Sequence, residues 1–254
     1  MIRTTPTPTP TPTPAPRGPA AATRRAARVA GVLYLLTFVT SIPTLRLYAP
    51  LREEGDLLLG GGAATGVTAG ALLEVLLALA CVGTAVVLYP VTRRHGETAA
   101  LGFVASRFVE AGLILVGAVA VLSVVTLHRD PGGPDPAALR AGGDVLTVVH
   151  DWTFLLGQSL MPVLNALFLG TVLYRSGLVP RVIPAIGLAG APLLLVSDLA
   201  IVAGVYAQGT VPAALAALPI AAWELALGVW LVVRGFRPVP VPAGTAPVAE
   251  PVAR

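Results

Sequence analysis

Residues 99–127, AALGFVASRFVEAGLILVGAVAVLSVVTL, are apolar almost throughout and long enough to cross a bilayer, yet they carry Arg107 and Glu110. An ion inside hydrocarbon costs about 2.5–3.5 kcal/mol on insertion scales. Three residues apart on a helix, the two side chains share a face and can pair. That face cannot look at lipid, so other helices must cover it. A chain with such a segment is expected to fold as a helical bundle around buried charge.

The rest of the chain agrees. Of 254 residues, 55% are hydrophobic and 12% are charged. A soluble domain needs about twice that charged share to cover its surface. The apolar residues also fall in long blocks, which reads as several spanning helices. Strands of a membrane barrel would alternate apolar and polar instead. The fold class is therefore all-α, a polytopic membrane protein with six transmembrane helices in one bundle. The spans are expected at about 29–48, 66–91, 99–127, 145–174, 182–206 and 211–233. The membrane domain covers 25–238. It is flanked by a Thr/Pro-rich tail, 1–24, and a Pro-rich tail, 239–254, both expected to be disordered because alternating proline forbids helix. The Thr-Pro repeat could also dock a proline-recognising domain or serve as a kinase target.

The basic run TRRAAR before the first apolar block could open a secretory signal, but no small-residue cleavage site follows, so the block reads as a retained span. All 17 basic residues are arginine, and the net charge is +4. Most arginines flank alternate loops and both tails. Positive-inside bias then puts both termini in the cytoplasm of a plasma-membrane protein. The partners expected are the lipid bilayer and a small solute or protons. Span-end arginines are explained by topology, so nucleic acid is not expected, and nothing specifies a protein partner. The single Cys81 permits no intrachain disulfide.

Polar residues inside the spans are the candidate functional groups. In the first span Tyr34, Thr37, Ser41 and Thr44 share a side, with Pro43 kinking its outer end. In the second, Gly66, Gly70, Glu74, Ala78 and Cys81 form a small-residue packing stripe with one acid in it. In the fourth, Asp144, Asp151, Gln158 and Asn165 recur every seven residues, close to two helical turns. Asp198 and Glu224 sit on small-residue stripes of the fifth and sixth spans. At 1.5 Å per residue, Glu74, Asp151 and Asp198 lie roughly 9–12 Å below one surface, with His150 beside them. Arg107, Glu110 and Glu224 lie deeper, and Asn165 deeper still. Two polar layers are thus expected, an outer acidic one and an inner Arg–acid one.

The five acids singled out, Glu74, Glu110, Asp151, Asp198 and Glu224, face one arginine among these candidates, Arg107, and one histidine, His150. Some acids are then expected to carry a proton at neutral pH or to face a water-filled cavity. Read functionally, the network binds or moves a small solute or protons, with His150–Asp151 as a proton relay. The competing reading is structural: buried acids and amides act as interhelical hydrogen bonds worth about 0.6 kcal/mol each, in an accessory or sensor protein. An intramembrane enzyme is a third, weaker reading. There is no HExxH, GxSxG, Walker or Rossmann pattern, so no catalytic residue, cofactor or metal is assigned. The set Glu74, His150, Asp151 and Asp198 offers metal-ligating chemistry but not the histidine spacing of a metal site.

RVAGVLYLLTFVTSIP, ALLEVLLALACVGTAVVLYPV, ALGFVASRFVEAGLILVG, VHDWTFLLG with LYRSGLVPR, and WELALGVWLVVRGF together resemble the bacterial membrane family called domain of unknown function 4386. The resemblance covers about Arg25 to Pro238. It implies a bacterial multi-pass membrane protein and brings no activity, substrate or catalytic residue with it.

Overall fold

The structure, a computed structural model, describes residues 19–52, 61–129 and 135–238. Among these every regular element is helical. Helix α1 spans Pro19–Ser41 and the short α2 Thr44–Leu47, followed by a 3₁₀ turn, Ala49–Arg52. Then come α3, Gly61–Thr92, and α4, Glu97–Arg129. Helix α5, Pro136–Phe154, runs through a π turn, Leu155–Leu160, into α6, Met161–Ser176. Helices α7, Val182–Val202, and α8, Val211–Val233, complete the chain. Six spans are long and apolar enough to cross a membrane, with α5–π–α6 acting as one. This is a multi-pass membrane protein.

Each span packs on the one before it, and α8 returns to α1, so the six close into a ring in chain order. The ring inverts the pattern of a water-soluble protein. Val39, Leu72, Leu79, Val119, Val196 and Leu218 point outward, while Glu74, Arg107, Glu110, Asn165 and Asp198 are buried. Lipid is as apolar as leucine, so burying leucine there gains little. Close backbone approach and interior polar bonds hold such helices together. Gly31 shows the approach: a Cβ there would stand 2.7 Å from the Gly228 carbonyl oxygen, so α1 and α8 meet backbone to backbone. Gly187 lets the Trp223 ring lie flat against α7, and a Cβ would come within 2.6 Å of it.

The expected spans match in number and order, and their ends move for local reasons. Helix α1 begins at Pro19, so residues 19–24, expected in the tail, are helical. Proline suits a first turn, and alanine and arginine then propagate it. Residues 136–144, expected in a loop, open α5 with Pro136 at its first turn and Asp135 before it. Helix α3 likewise starts at Gly61, inside the expected 49–65 loop. The fifth span stops at Val202, four residues short, because Gly204 turns the chain left-handed at φ 73°. The first span breaks between Ser41 and Thr44, where Pro43 stands. The expectations for 1–18, 53–60, 130–134 and 239–254 lie outside the described residues.

Candidate functional site

Helix α2 and the α7–α8 loop lie at one end of the ring. There a cavity of about 630 Å³ opens between the end of α2, helix α5 and the loop after α7, with Glu74 of α3 at its base. The volume lies within the range of small-molecule sites. Glu74 is 1% exposed and is held by three side chains. The Tyr48 hydroxyl donates to its Oε2 at 3.0 Å, and Gln158 Nε2 donates to Oε1 at 3.3 Å. His150 Nε2 lies 3.1 Å from the same Oε1. The other ring nitrogen, Nδ1, lies 3.7 Å from Asp151 Oδ1. The imidazole therefore stands between a buried carboxylate and one whose side chain is 35% exposed at the cavity. Burial and the neighbouring Glu74 carboxylate push the Tyr48 phenol above its ordinary value, so it stays a donor.

Local sequence explains this placement. Gly70, one turn before Glu74, leaves room for the Tyr48 ring, and a Cβ there would come within 2.5 Å of it. Tyr48 then meets His150 edge to face, ring centres 5.0 Å apart. On the far side the Gln208 side chain donates to the Asp151 carbonyl at 2.9 Å, fastening the α7–α8 loop onto α5.

At the bundle centre lies a second group. The Arg107 Nη1 reaches both Glu110 oxygens at 3.1 Å, and Nη2 reaches Glu224 Oε1 at 2.8 Å. Its guanidinium also lies 5.0 Å from the Tyr34 ring centre. Asn165 Nδ2 donates to Glu110 Oε2 at 2.7 Å, and Ser106 donates to Asn165 Oδ1 at 2.6 Å. The Cys81 thiol donates to Glu110 at 3.6 Å. Residues of α1, α3, α4, α6 and α8 thus converge on one charge. Beside it is a smaller space of about 150 Å³, lined by Arg107, Glu110, Gln158 and Glu224 among others. That is room for about five waters at roughly 30 Å³ each.

The π turn joins the two groups. Pro162 has no N–H to return to the Gln158 carbonyl, and widening to π geometry is a common response to such a missing bond. Gly157 packs this turn against α4, and a Cβ there would stand 2.9 Å from Leu113. The turn carries Gln158, which touches Glu74 and lines the inner space, and Ser159, which donates to Asp198 Oδ1 at 2.7 Å.

Of the nine candidates, Glu74, His150, Asp151 and Gln158 meet at the cavity end, and Arg107, Glu110, Asn165 and Glu224 meet at the centre. Asn165 is a direct partner of Glu110, not a deeper layer. Asp198 is buried beside Ser159 and does not line the cavity, so the outer layer lacks its third expected acid. Asp144, the first residue of the seven-residue stripe, is exposed. Among the described residues no three His, Cys, Asp or Glu side chains are grouped as a metal would need. Glu74 and Asp151 approach opposite ring nitrogens of His150, so the three do not face a common point.

Tyr48, Ser106 and Ser159 are partners the sequence reading missed. Tyr48 had a signal, since 34, 37, 41, 44 and 48 continue one helical stripe. Ser106 and Ser159 had none: a serine in a span usually bonds its own helix backbone.

The chain belongs to the family described as a domain of unknown function (DUF4386), whose model matches residues 29–235. That stretch contains all nine candidates. No curated protein and no solved structure matches the chain.

Proposed function

We propose that this membrane protein binds a small solute in the 630 Å³ cavity, with occupancy linked to a proton on the Asp151–His150–Glu74 chain. One observation carries the reading: a histidine sits between a carboxylate that reaches the cavity and one sealed in the bundle. An imidazole takes a proton at one nitrogen and releases it from the other, so a charge change at the cavity wall is felt at Glu74. Gln158 extends that contact toward the Arg107 centre. The Arg107 group serves as a lock that fixes the rotation of five helices, because its carboxylates and amide bond to one another and to the guanidinium.

The 25–238 domain is one membrane unit in this reading. Arg28, Arg93, Arg94, Arg175, Arg181 and Arg234 gather at the end away from the cavity, where the Arg237 amide bonds the Leu178 carbonyl at 2.8 Å. Positive-inside bias supports cytoplasmic termini in a plasma membrane, with the cavity opening outward.

The test uses the full chain in lipid nanodiscs and a solute panel of amines, amino acids, sugars and carboxylates. At least one class is expected to raise the thermal midpoint saturably. Ala207→Trp, which fills the cavity, should cancel the shift, and His150→Gln should flatten the pH dependence of the apparent affinity. A folded protein that answers to no class, or a shift that survives Ala207→Trp, overturns the reading in favour of an accessory protein whose polar groups are structural.

A further inference from the structure

The walls of the cavity constrain the chemistry of what fills it. The chain has only 3 Trp, 5 Tyr and 6 Phe, and four of these, Tyr48, Trp152, Phe154 and Tyr206, line this one space. The ionisable groups lining it are Glu74, Asp151 and His150; among the described residues no arginine does. Glu74 is buried whereas 35% of the Asp151 side chain is exposed, so Asp151 is the carboxylate that reaches the occupant.

Each ligand class meets this wall differently. An anion would face two carboxylates with no arginine to pair. A sugar needs many outward donors and acceptors, and most of the wall is apolar or aromatic. A cation with apolar substituents suits both features: a carboxylate takes the charge, and aromatic rings attract a partly desolvated ammonium through their faces. The 203–209 loop turns left-handed at Gly204 and Gly209, φ 73° and 74°, and wraps the cavity while Gln208 pins it to α5.

We propose that the cavity is a site for an organic cation of the substituted-ammonium type, with Asp151 as its counter-ion and the Tyr48, Trp152, Phe154 and Tyr206 side chains as its wall. This rests on the reading that the cavity binds a solute, and it adds the class. The charge discriminates, and the aromatic wall supplies the contact area.

The experiment measures equilibrium dialysis of three probes of one shape against the full chain in nanodiscs: choline, its neutral carbon isostere 3,3-dimethylbutanol, and the anionic 3,3-dimethylbutyrate. Tetraethylammonium is added as a bulkier cation. Both cations are expected to bind saturably, the neutral isostere at least about tenfold more weakly, and the anion not at all. Asp151→Asn should weaken choline by about tenfold or more while Asp151→Glu keeps binding, and Trp152→Leu should weaken it severalfold. If the neutral or anionic probe binds as tightly as choline and Ala207→Trp abolishes it, the class is wrong and the solute-binding reading stands. Cation binding indifferent to both Asp151→Asn and Trp152→Leu, or no cation binding by folded protein, overturns the proposal.

Discussion

Asp151 keeps 35% of its side chain exposed at the cavity wall, whereas Arg107, at the bundle centre, keeps 2%. Both regions are built from carboxylates, an amide and one nitrogen base. They differ in what surrounds the base. His150 stands between one buried and one accessible acid, beside a space of ligand size. Arg107 stands between two acids inside the ring, beside room for a few waters. A guanidinium keeps its proton, whereas an imidazole can take a proton at one nitrogen and release one from the other. On the proposed reading, the same ingredients make an exchanging site at the cavity and a fixed joint at the centre.

The sharpest way to break this comparison is Arg107→Met. It leaves Glu110 and Glu224 with no cation, and breaking a buried pair in this way costs about 3–5 kcal/mol. Thermal unfolding in detergent should show a large loss, with most of it restored when Glu110→Gln and Glu224→Gln are added. A near-neutral Arg107→Met would remove the locking role.

Glu74→Gln should cost less, about 1–3 kcal/mol, because an amide still accepts from Tyr48 but loses the charge that faces His150. The same thermal measurement checks it, and solute binding should become less sensitive to pH. A loss as large as that of Arg107→Met would mean that both regions are structural.

Tyr48→Phe probes the cavity end alone. Removing the hydroxyl should cost about 1 kcal/mol at neutral pH. The Tyr48 phenol is raised by burial and by Glu74. Its contribution is therefore complete below the unfolded value of about 10 and is lost as pH rises above it. The gap between wild type and Tyr48→Phe should stay level up to pH about 10 and narrow beyond it. A gap that instead widens there would contradict the buried hydrogen bond.

The smallest stability effect belongs to Asp151→Asn, under about 1 kcal/mol, because an ion pair this exposed is screened by water. Ligand binding should nonetheless fall. A change that spares the fold and loses the ligand, set against Arg107→Met, is the contrast that separates the site from the lock.

The candidate residues divide along the same line. Arg107 and Glu110 were legible as a pair because they lie on one helix three residues apart. Glu74 was legible as an inward acid because its stripe is made of small residues. That Glu224, 117 positions away, shares a layer with Arg107 was legible from depth, but its direct bond to the guanidinium was not, since nothing local sets the rotation of α8 against α4. Asp198 was expected in the outer layer with Glu74 and Asp151 but bonds Ser159 instead, because the π turn aims Ser159 toward α7. Pro162 was the only hint of that turn.

Composition and spacing set six apolar helices, their order, and the inward faces on which ionised side chains had to hide. Those follow from hydration free energy and the 3.6-residue period, both of which act within a segment. Packing between helices set which carboxylates bond the arginine and the histidine, and brought aromatic rings from the turn after α2, from α5 and from the α7–α8 loop around one cavity. These depend on how helices rotate and cross, and that is set by close contacts such as Gly31 on Gly228 and Gly187 on Trp223, between residues distant in the chain.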